Sequence, residues 1–247
     1  MELIKYSLKR TLFIIPVTLL AVFLVMGDID RVYLMEPYPG GFTSILENTA
    51  SIAAICYCAF MFHQRQEIEQ SLVCGVSTPK LVITRLLAIF TYTLIAMCIV
   101  LARYKLLNSI IPPAPGVPYY VPENYKLYVF ASAIITILFF VAITVLLRAL
   151  FSNCYFAFSV GFMLHAFMNG YSENIRKGTA PITKCFADPF ISSYILSDEV
   201  PRTEKSLGLC PMEWTCNRLV FLGLSLVILF VSFLLLKREK LHRGFTD

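Results

Sequence analysis

Three polar side chains, Glu47, His165 and Asn169, lie within otherwise apolar stretches of the sequence and are of types that can bind a ligand or carry a proton. Ionisable residues in such stretches are costly, and they are usually found at substrate or ion pathways. His165 and Asn169 are four positions apart, so a helix places them on one face. We expect these three residues to line such a pathway. Two simpler interpretations stay open: Glu47 lies at a water interface, and His165 is a hydrogen-bonded packing residue.

The sequence lacks the motifs of the main catalytic and nucleotide-binding sites. It contains no G-x-x-x-x-G-K-[ST] phosphate-binding loop, no G-x-S-x-G elbow and no H-E-x-x-H pair. A metal site needs clustered ligands, and no second histidine or carboxylate lies near His165 in the sequence. We therefore predict that the chain is not an enzyme and holds no cofactor or metal ion of its own.

The composition indicates an integral membrane protein. Of 247 residues, 57% are hydrophobic and 15% are charged, with a mean hydropathy of +0.71; soluble domains are about 45–50% apolar and about 25% charged. Crossing a hydrocarbon core of ~30 Å takes roughly 17 to 25 apolar residues in a helix. The sequence has six such candidates, at about 11–26, 42–62, 81–102, 127–150, 154–169 and 219–236. We predict an all-α polytopic protein, a single domain with six transmembrane helices.

The basic residues beside these spans predict the orientation. The last span ends in LLLKREKLHR, and lysines and arginines collect on the cytoplasmic side of membrane proteins. Because six spans place both termini on one side, we predict cytoplasmic termini, in the plasma membrane of a bacterium. Residues 1–10 are amphipathic and are expected to lie along the membrane surface rather than to begin a cleaved signal peptide. Arg85 and Arg148, near cytoplasmic span ends, are expected to reach the lipid headgroups.

One predicted cytoplasmic segment, HQRQEIEQSLVCGVSTPK at 63–80, is too polar to enter the membrane. Placing Arg65, Glu67 and Glu69 at the membrane centre would cost on the order of 7 kcal/mol. A connection that only reversed the chain direction would need fewer residues. The segment is therefore expected to have a role of its own outside the hydrocarbon.

The pattern within this segment predicts a short helix, a break and a new helix start. Ile68, Leu72 and Val73 fall on one face of a helix over about 64–75, and Gly75 suits its C-terminal end. The following STPK offers a capping hydroxyl and then a proline at the first helical position. An amphipathic cytoplasmic helix with exposed apolar side chains is typical of a docking surface.

This segment resembles the coupling-helix region of type-2 permeases of ATP-binding-cassette exporters, in which an acidic helix leads through a G-x-S turn into the third span. The residues that carry the likeness are Arg65, Glu67, Gly75, Ser77, Leu81, Val82, Arg85, Leu86 and Leu87. The chain departs from the family's E-x-G-T pattern at 68–70, which affects the register of the coupling helix. Its GVS version is most similar to permeases of peptide-antibiotic export and immunity systems.

The resemblance implies the transmembrane subunit of an ATP-driven exporter that moves an amphipathic or hydrophobic substrate, peptide or lipid-like, by alternating access. A separate cytoplasmic ATPase would bind ATP and Mg²⁺, and a second permease subunit, identical or related, would complete the assembly within membrane lipid, without nucleic acid. Glu47, His165 and Asn169 would then line the translocation path. The ATPase would dock on Arg65, Glu67, Ile68, Glu69, Leu72, Val73 and Gly75.

Two alternatives to this interpretation stay open. Glu67 and Glu69 fit a solvated helix face equally well, and Leu72 and Val73 fit packing onto neighbouring helix ends. At the level of function, the alternative is a non-transporting membrane binding or immunity protein that sequesters a ligand. Co-purification with an ATPase separates this alternative from the exporter.

Eight cysteines are divided between the spans and the polar segments. Five are in or near the membrane or the cytoplasm and are expected to be small apolar packing residues: Cys56, Cys58, Cys74, Cys98 and Cys154. Cys185, Cys210 and Cys216 lie in the predicted outer segment between the last two spans. A disulfide between Cys210 and Cys216 is predicted if that compartment is oxidising.

Overall fold

The computed structural model describes residues 39–61, 80, 82–91, 93–95, 98, 123–151, 153–178, 189–190 and 212–242. These residues form four long helices: α1 (Pro39–Met61), α2 (Glu123–Leu150), α3 (Cys154–Gly178) and α4 (Met212–His242). Residues 82–91 and 93–95 are also helical, and no strand occurs within the described ranges. The prediction of an all-α chain is confirmed for this part.

Each of the four helices overlaps a predicted span, but the helices and the spans differ in length. Helix α1 covers all but the last residue of the window at 42–62, α2 covers the window at 127–150 and α4 covers the window at 219–236. Helix α3 begins at Cys154 as predicted, but it continues to Gly178, nine positions beyond the predicted end at 169. The predicted first span at 11–26 and the predicted coupling helix at 64–75 lie outside the described residues.

Among the described residues, two helices are long and apolar enough to cross a membrane: Ala131–Leu150 of α2, with 20 residues, and Thr215–Arg238 of α4, with 24. A buried core helix of a soluble protein has the same composition, so the solvent exposure of each helix distinguishes the two cases. In α2 56% of the span is buried, but in α4 only 22% is buried. Leu219, Val227 and Phe230 are each more than half exposed. Two apolar helices of this length suggest a membrane protein, and the exposed face of α4 is of the kind that contacts lipid or another protein.

Helices α1, α2 and α4 run in the same direction. Glu47 and Ser132 are hydrogen-bonded near the N-terminal ends of α1 and α2, and the Cys58 thiol donates to the Val141 carbonyl oxygen at 3.7 Å further along both helices. Helix α4 follows α2 likewise, since Arg218 hydrogen-bonds Ser132 and the later Phe221 packs edge-on against the later Phe139, with ring centroids 4.9 Å apart. Helix α2 packs against each of the other three helices.

Helix α3 runs in the opposite direction. Its first turn contacts the end of α1, where the Phe60 and Tyr155 ring centroids are 5.7 Å apart. Further along α3, His165 packs against Phe140, which precedes the C-terminal end of α2 by almost three turns. Helix α3 therefore returns antiparallel to α1 and α2.

The turn between α2 and α3 is short because its polar groups are satisfied locally. Asn153 caps α3: its Oδ1 accepts hydrogen bonds from the backbone N–H groups of Tyr155, at 2.9 Å, and Phe156, at 3.3 Å. The Phe151 N–H donates to the Leu147 carbonyl oxygen at 2.8 Å, which continues the α2 pattern by one residue. This connection fixes the antiparallel pairing of α2 and α3.

Hydroxyl side chains within the apolar helices donate to carbonyl oxygens four residues earlier in the same helix. Thr144 donates to Phe140 at 2.7 Å, Ser225 to Phe221 at 2.6 Å and Ser232 to Ile228 at 2.7 Å. This bond meets the hydrogen-bonding requirement of a serine or threonine without a second helix. These polar residues therefore do not prevent an apolar helix from entering a membrane.

Gly161 is the point where α3 approaches α1 and α2 most tightly among the described glycines. A Cβ atom at this position would lie 3.1 Å from Ile55 Cγ2 and 3.3 Å from Thr144 Oγ1, whereas a Cβ at Gly170 or Gly223 would contact nothing within 4 Å. The close contact of three helices thus depends on the missing side chain of Gly161.

We predict that Gly161→Leu lowers the free energy of unfolding by about 1–3 kcal/mol, because a larger side chain forces the three helices apart. Gly223→Leu on the exposed face of α4 is the matched control, and it should be neutral or slightly stabilising because leucine favours the helix. Denaturant or thermal unfolding of the purified chain in detergent measures both. Equal effects of the two substitutions would contradict the proposed close contact.

Candidate functional site

Glu47 and Arg218 form an ion pair inside the helix bundle. Glu47 Oε1 lies 4.0 Å from Arg218 Nη1, and the two side chains are 0% and 3% exposed. Glu47 belongs to the third turn of α1 and Arg218 to the second turn of α4. Because the two helices run in the same direction, both charges lie at the end of the bundle where these helices begin.

Two hydroxyl groups of α2 lie between the charges. Ser132 and Thr136 are one helical turn apart, so they occupy the same face of α2. Ser132 Oγ donates to Glu47 Oε1 at 2.8 Å. Arg218 Nη1 donates to Ser132 Oγ at 3.0 Å and to Thr136 Oγ1 at 2.9 Å. Helix α2 thus connects the carboxylate of α1 to the guanidinium of α4.

The remaining donors of Arg218 meet acceptors from α4 and from the segment between α3 and α4. Asn217 Oδ1 accepts from Arg218 Nε at 3.0 Å and from Nη2 at 2.6 Å. The Pro189 carbonyl oxygen accepts from Arg218 Nη2 at 2.8 Å and from Thr136 Oγ1 at 2.9 Å. We call these six residues the polar clamp: Glu47, Ser132, Thr136, Pro189, Asn217 and Arg218.

Burial makes the interactions of the polar clamp mutually dependent. Removing an ion from water costs several kcal/mol even after relaxation, and the attraction of a partner offsets this cost only when other hydrogen bonds satisfy both groups. At 4 Å two unit charges attract by about 4 kcal/mol at an effective dielectric constant of ~20. The additional bonds from Ser132, Thr136 and Asn217 are therefore needed for the pair to exist in an apolar bundle.

The turn formed by Pro189 and Phe190 lies between His165 and the ion pair of Glu47 and Arg218. The His165 ring packs between Phe140, with centroids 5.0 Å apart, and Phe190, with centroids 5.2 Å apart in an edge-on geometry. His165 is buried, whereas Asn169, predicted to share its face and its role, is exposed on α3. The structure thus places Glu47 and His165 on either side of one buried turn and leaves Asn169 outside it.

The other predicted site residues are placed as follows. The predicted ATPase-docking residues and Cys210 lie outside the described residues, and Cys216 has a free thiol at an exposed position of α4. Arg85 and Arg148 were expected to reach the lipid headgroups, but both are buried in the protein. Arg148 Nη1 donates to the Phe151 carbonyl oxygen at 3.4 Å, so the turn after α2 holds this side chain inward.

The sequence interpretation identified Glu47 but not its partners. Arg218 immediately precedes the predicted span at 219–236, and Ser132, Thr136, Pro189 and Asn217 belong to no recognised motif. One signal was available: an apolar span that contains a carboxylate requires a buried cation, and Arg218 begins the most apolar span. The spacing of Ser132 and Thr136 is a weaker signal, because hydroxyls in spans usually bond within their own helix.

The groups of the polar clamp bind one another. Within the described residues no group of three histidine, cysteine, aspartate or glutamate side chains is placed to hold a metal ion. The carboxylate and the guanidinium are directed at each other and at fixed hydroxyl and carbonyl groups. Such an arrangement can hold helices and a loop together, and it can exchange a loop carbonyl for another acceptor.

Comparison of this chain with protein-family models, with curated proteins and with solved structures finds no match.

We predict that Arg218→Met destabilises the chain by about 3–5 kcal/mol, because it leaves Glu47 as a buried charge without its cation. The double variant Glu47→Gln with Arg218→Met should recover much of this loss. Unfolding in detergent of the wild type, both single variants and the double variant gives the coupling energy. Arg238→Met, at an exposed position of the same helix, is the control and should change stability by less than about 0.5 kcal/mol. Additive effects of the two clamp substitutions would contradict the ion pair.

Proposed function

We propose that this chain is the transmembrane permease subunit of an ATP-driven exporter of the ATP-binding-cassette type. The observation that carries the proposal is the sequence of segment 63–80, which lies between two apolar stretches. This sequence predicts a short amphipathic helix, a break at a glycine and a second helix that begins at a proline. The chain has no phosphate-binding loop of its own, so the energy would come from a separate ATPase that binds ATP and Mg²⁺.

The surroundings of this segment support the proposal. Helix α1 ends at Met61, and helical residues resume at 80 and at 82–91. The polar segment therefore joins two helices, and it leaves α1 at the end opposite to the polar clamp. If α1 crosses the membrane with the clamp toward the outside, the segment emerges on the cytoplasmic side, where an ATPase can reach it.

The directions of the helices support a multi-pass arrangement. Helices α1, α2 and α4 run in one direction and α3 runs in the other. In a six-span chain α1, α2 and α4 would be the second, fourth and sixth spans and α3 the fifth. Successive spans alternate in direction, so these directions are the ones that a six-span chain requires. The exposed apolar face of α4 then meets lipid. Six spans, a bacterial plasma membrane and cytoplasmic termini are part of the proposal.

The mechanism that follows is a rigid-body movement driven by nucleotide. An amphipathic helix at 64–75 would lie in a groove of the ATPase, with Leu72 and Val73 as apolar anchors. Closure of the ATPase pair would move this helix and tilt the two membrane subunits between inward-facing and outward-facing arrangements. The substrate would be amphipathic or hydrophobic, since the spans offer mainly apolar side chains.

The polar clamp has a role in such a movement. Force applied at the cytoplasmic ends of the helices is transmitted only if the helices move together. The clamp joins the N-terminal halves of α1 and α4 to α2 near its middle by charge-assisted hydrogen bonds, which are stronger than those between neutral groups. These three helices would therefore tilt as one body.

The test is co-purification with an ATPase of the cassette type encoded beside this chain. We predict that Leu72→Asp with Val73→Asp abolishes co-purification and ATP-dependent transport, because charged side chains cannot enter an apolar groove. Leu106→Asp with Leu107→Asp, a matched apolar pair in the predicted outer segment 103–126, is the control and should leave the complex intact. Transport that persists in the first variant would refute the docking surface. Absence of any ATPase partner would favour the ligand-sequestering alternative.

A further inference from the structure

The turn Pro189–Phe190 fills a buried site that is lined by side chains of three helices. Both residues are buried, and Phe190 is 2% exposed. The Phe190 ring packs against Phe140 of α2, with centroids 5.7 Å apart, and against His165 of α3. The Pro189 carbonyl oxygen meets Thr136 of α2 and Arg218 of α4. We call this position the turn seat; its walls are Thr136, Phe140, His165 and Arg218.

The walls of the turn seat do not belong to the same element as its occupant. The other buried aromatic residues of this core, Phe139, Phe140 and Phe221, are all carried by helices. Removing one of them from the core requires a helix to shift or unfold. Pro189 and Phe190 belong to no helix, so a different occupant of the seat requires no helix to shift.

One wall residue, His165, has a polar atom that the ring of Phe190 cannot hydrogen-bond. His165 Nε2 is fully buried and has no hydrogen-bond partner, and His165 is 3% exposed. Buried polar atoms are nearly always hydrogen-bonded, because a missing bond costs the full desolvation of the group. The phenyl ring of Phe190 has no donor or acceptor to supply. An aromatic ring with a hydroxyl group offers both, whichever of its nitrogens His165 protonates.

We propose that the turn seat is a binding subsite for an aromatic ring that carries a hydroxyl group, and that Phe190 occupies it when this ligand is absent. Phe140 and His165 bind the faces and edges of the ring, and His165 Nε2 hydrogen-bonds the hydroxyl. When the turn withdraws, the donors of Thr136 and Arg218 become available to an acceptor on the same ligand. The proposal concerns binding by this chain alone and holds whether or not an ATPase drives it.

The test compares phenol with benzene, two probes of nearly equal shape, on the purified full chain in one detergent. Phe190→Ala empties the aromatic half of the seat, so phenol should bind this variant at least about tenfold more tightly than benzene, the ratio expected for one buried hydrogen bond. Adding His165→Leu should remove that preference. Binding is measured by equilibrium dialysis with labelled probes and by the shift of the unfolding temperature.

Phe221→Ala is the matched control, because it also removes a ring that is 2% exposed from the same core but leaves His165 covered. It should show no preference for phenol. Equal binding of phenol and benzene by Phe190→Ala, or the same preference in Phe221→Ala, would overturn the proposal. If Phe190→Ala does not fold, Phe190→Leu serves instead. The wild type should bind phenol at least about tenfold more weakly than the opened variant, because Phe190 competes; equal affinity would also overturn it.

Discussion

The buried ion pair of Glu47 and Arg218 constrains the arrangement of the helices in this bundle. Neither Glu47 nor Arg218 can be buried alone, and the pair cannot be buried without further donors and acceptors. This requirement places the beginnings of α1 and α4 at the same end of the bundle. It also requires hydroxyl groups on the face of α2 that lies between them. The parallel direction of these helices and the position of α2 at the centre are consequences of one buried interaction.

The same interaction holds the turn Pro189–Phe190 in the bundle. Arg218 has more donors than Glu47 and the two hydroxyls can satisfy, and the Pro189 carbonyl oxygen meets one of them. With Pro189 held in this position, Phe190 covers His165 and completes the aromatic core. A charged cluster and an apolar cluster thus share one turn, so that releasing the turn would change both.

The distribution of polar and apolar groups along the helices fits a membrane environment. The polar clamp lies in the N-terminal halves of α1 and α4 and reaches the middle of α2 at Thr136, and the faces that follow it on α4 are apolar and exposed. In water such a face would favour association, whereas in lipid it needs no partner. The polar segment after α1 leaves from the C-terminal end of that helix. The proposed function uses this separation: the clamp keeps the three helices together while an ATPase acts on the segment.

The sequence predicted the helices well and the site poorly, for physical reasons. Long apolar runs determine where a span lies, because a membrane accepts little else, so α1, α2 and α4 overlap the predicted windows, although α4 extends seven residues before and six after its window at 219–236. Helix α3 continues beyond the predicted span end at 169 because its last residues are polar, and polar residues can continue a helix beyond the hydrocarbon. Glu47 was recognised as unusual, but its partner Arg218 is far away in sequence and only the packing of α1 and α4 on α2 brings them together. His165 and Asn169 were assigned one role from their spacing, and the bundle buried the first and exposed the second.

The most direct test of the account is nitrogen NMR of the Arg218 side chain in a chain labelled at arginine, assigned by comparison with Arg218→Lys. A guanidinium held by Glu47, Ser132, Thr136, Pro189 and Asn217 is predicted to exchange its N–H hydrogens with water slowly, and Glu47→Gln should shift its resonances and speed the exchange. Rapid exchange in the wild type that Glu47→Gln leaves unchanged would contradict the buried ion pair and the arrangement of helices derived from it.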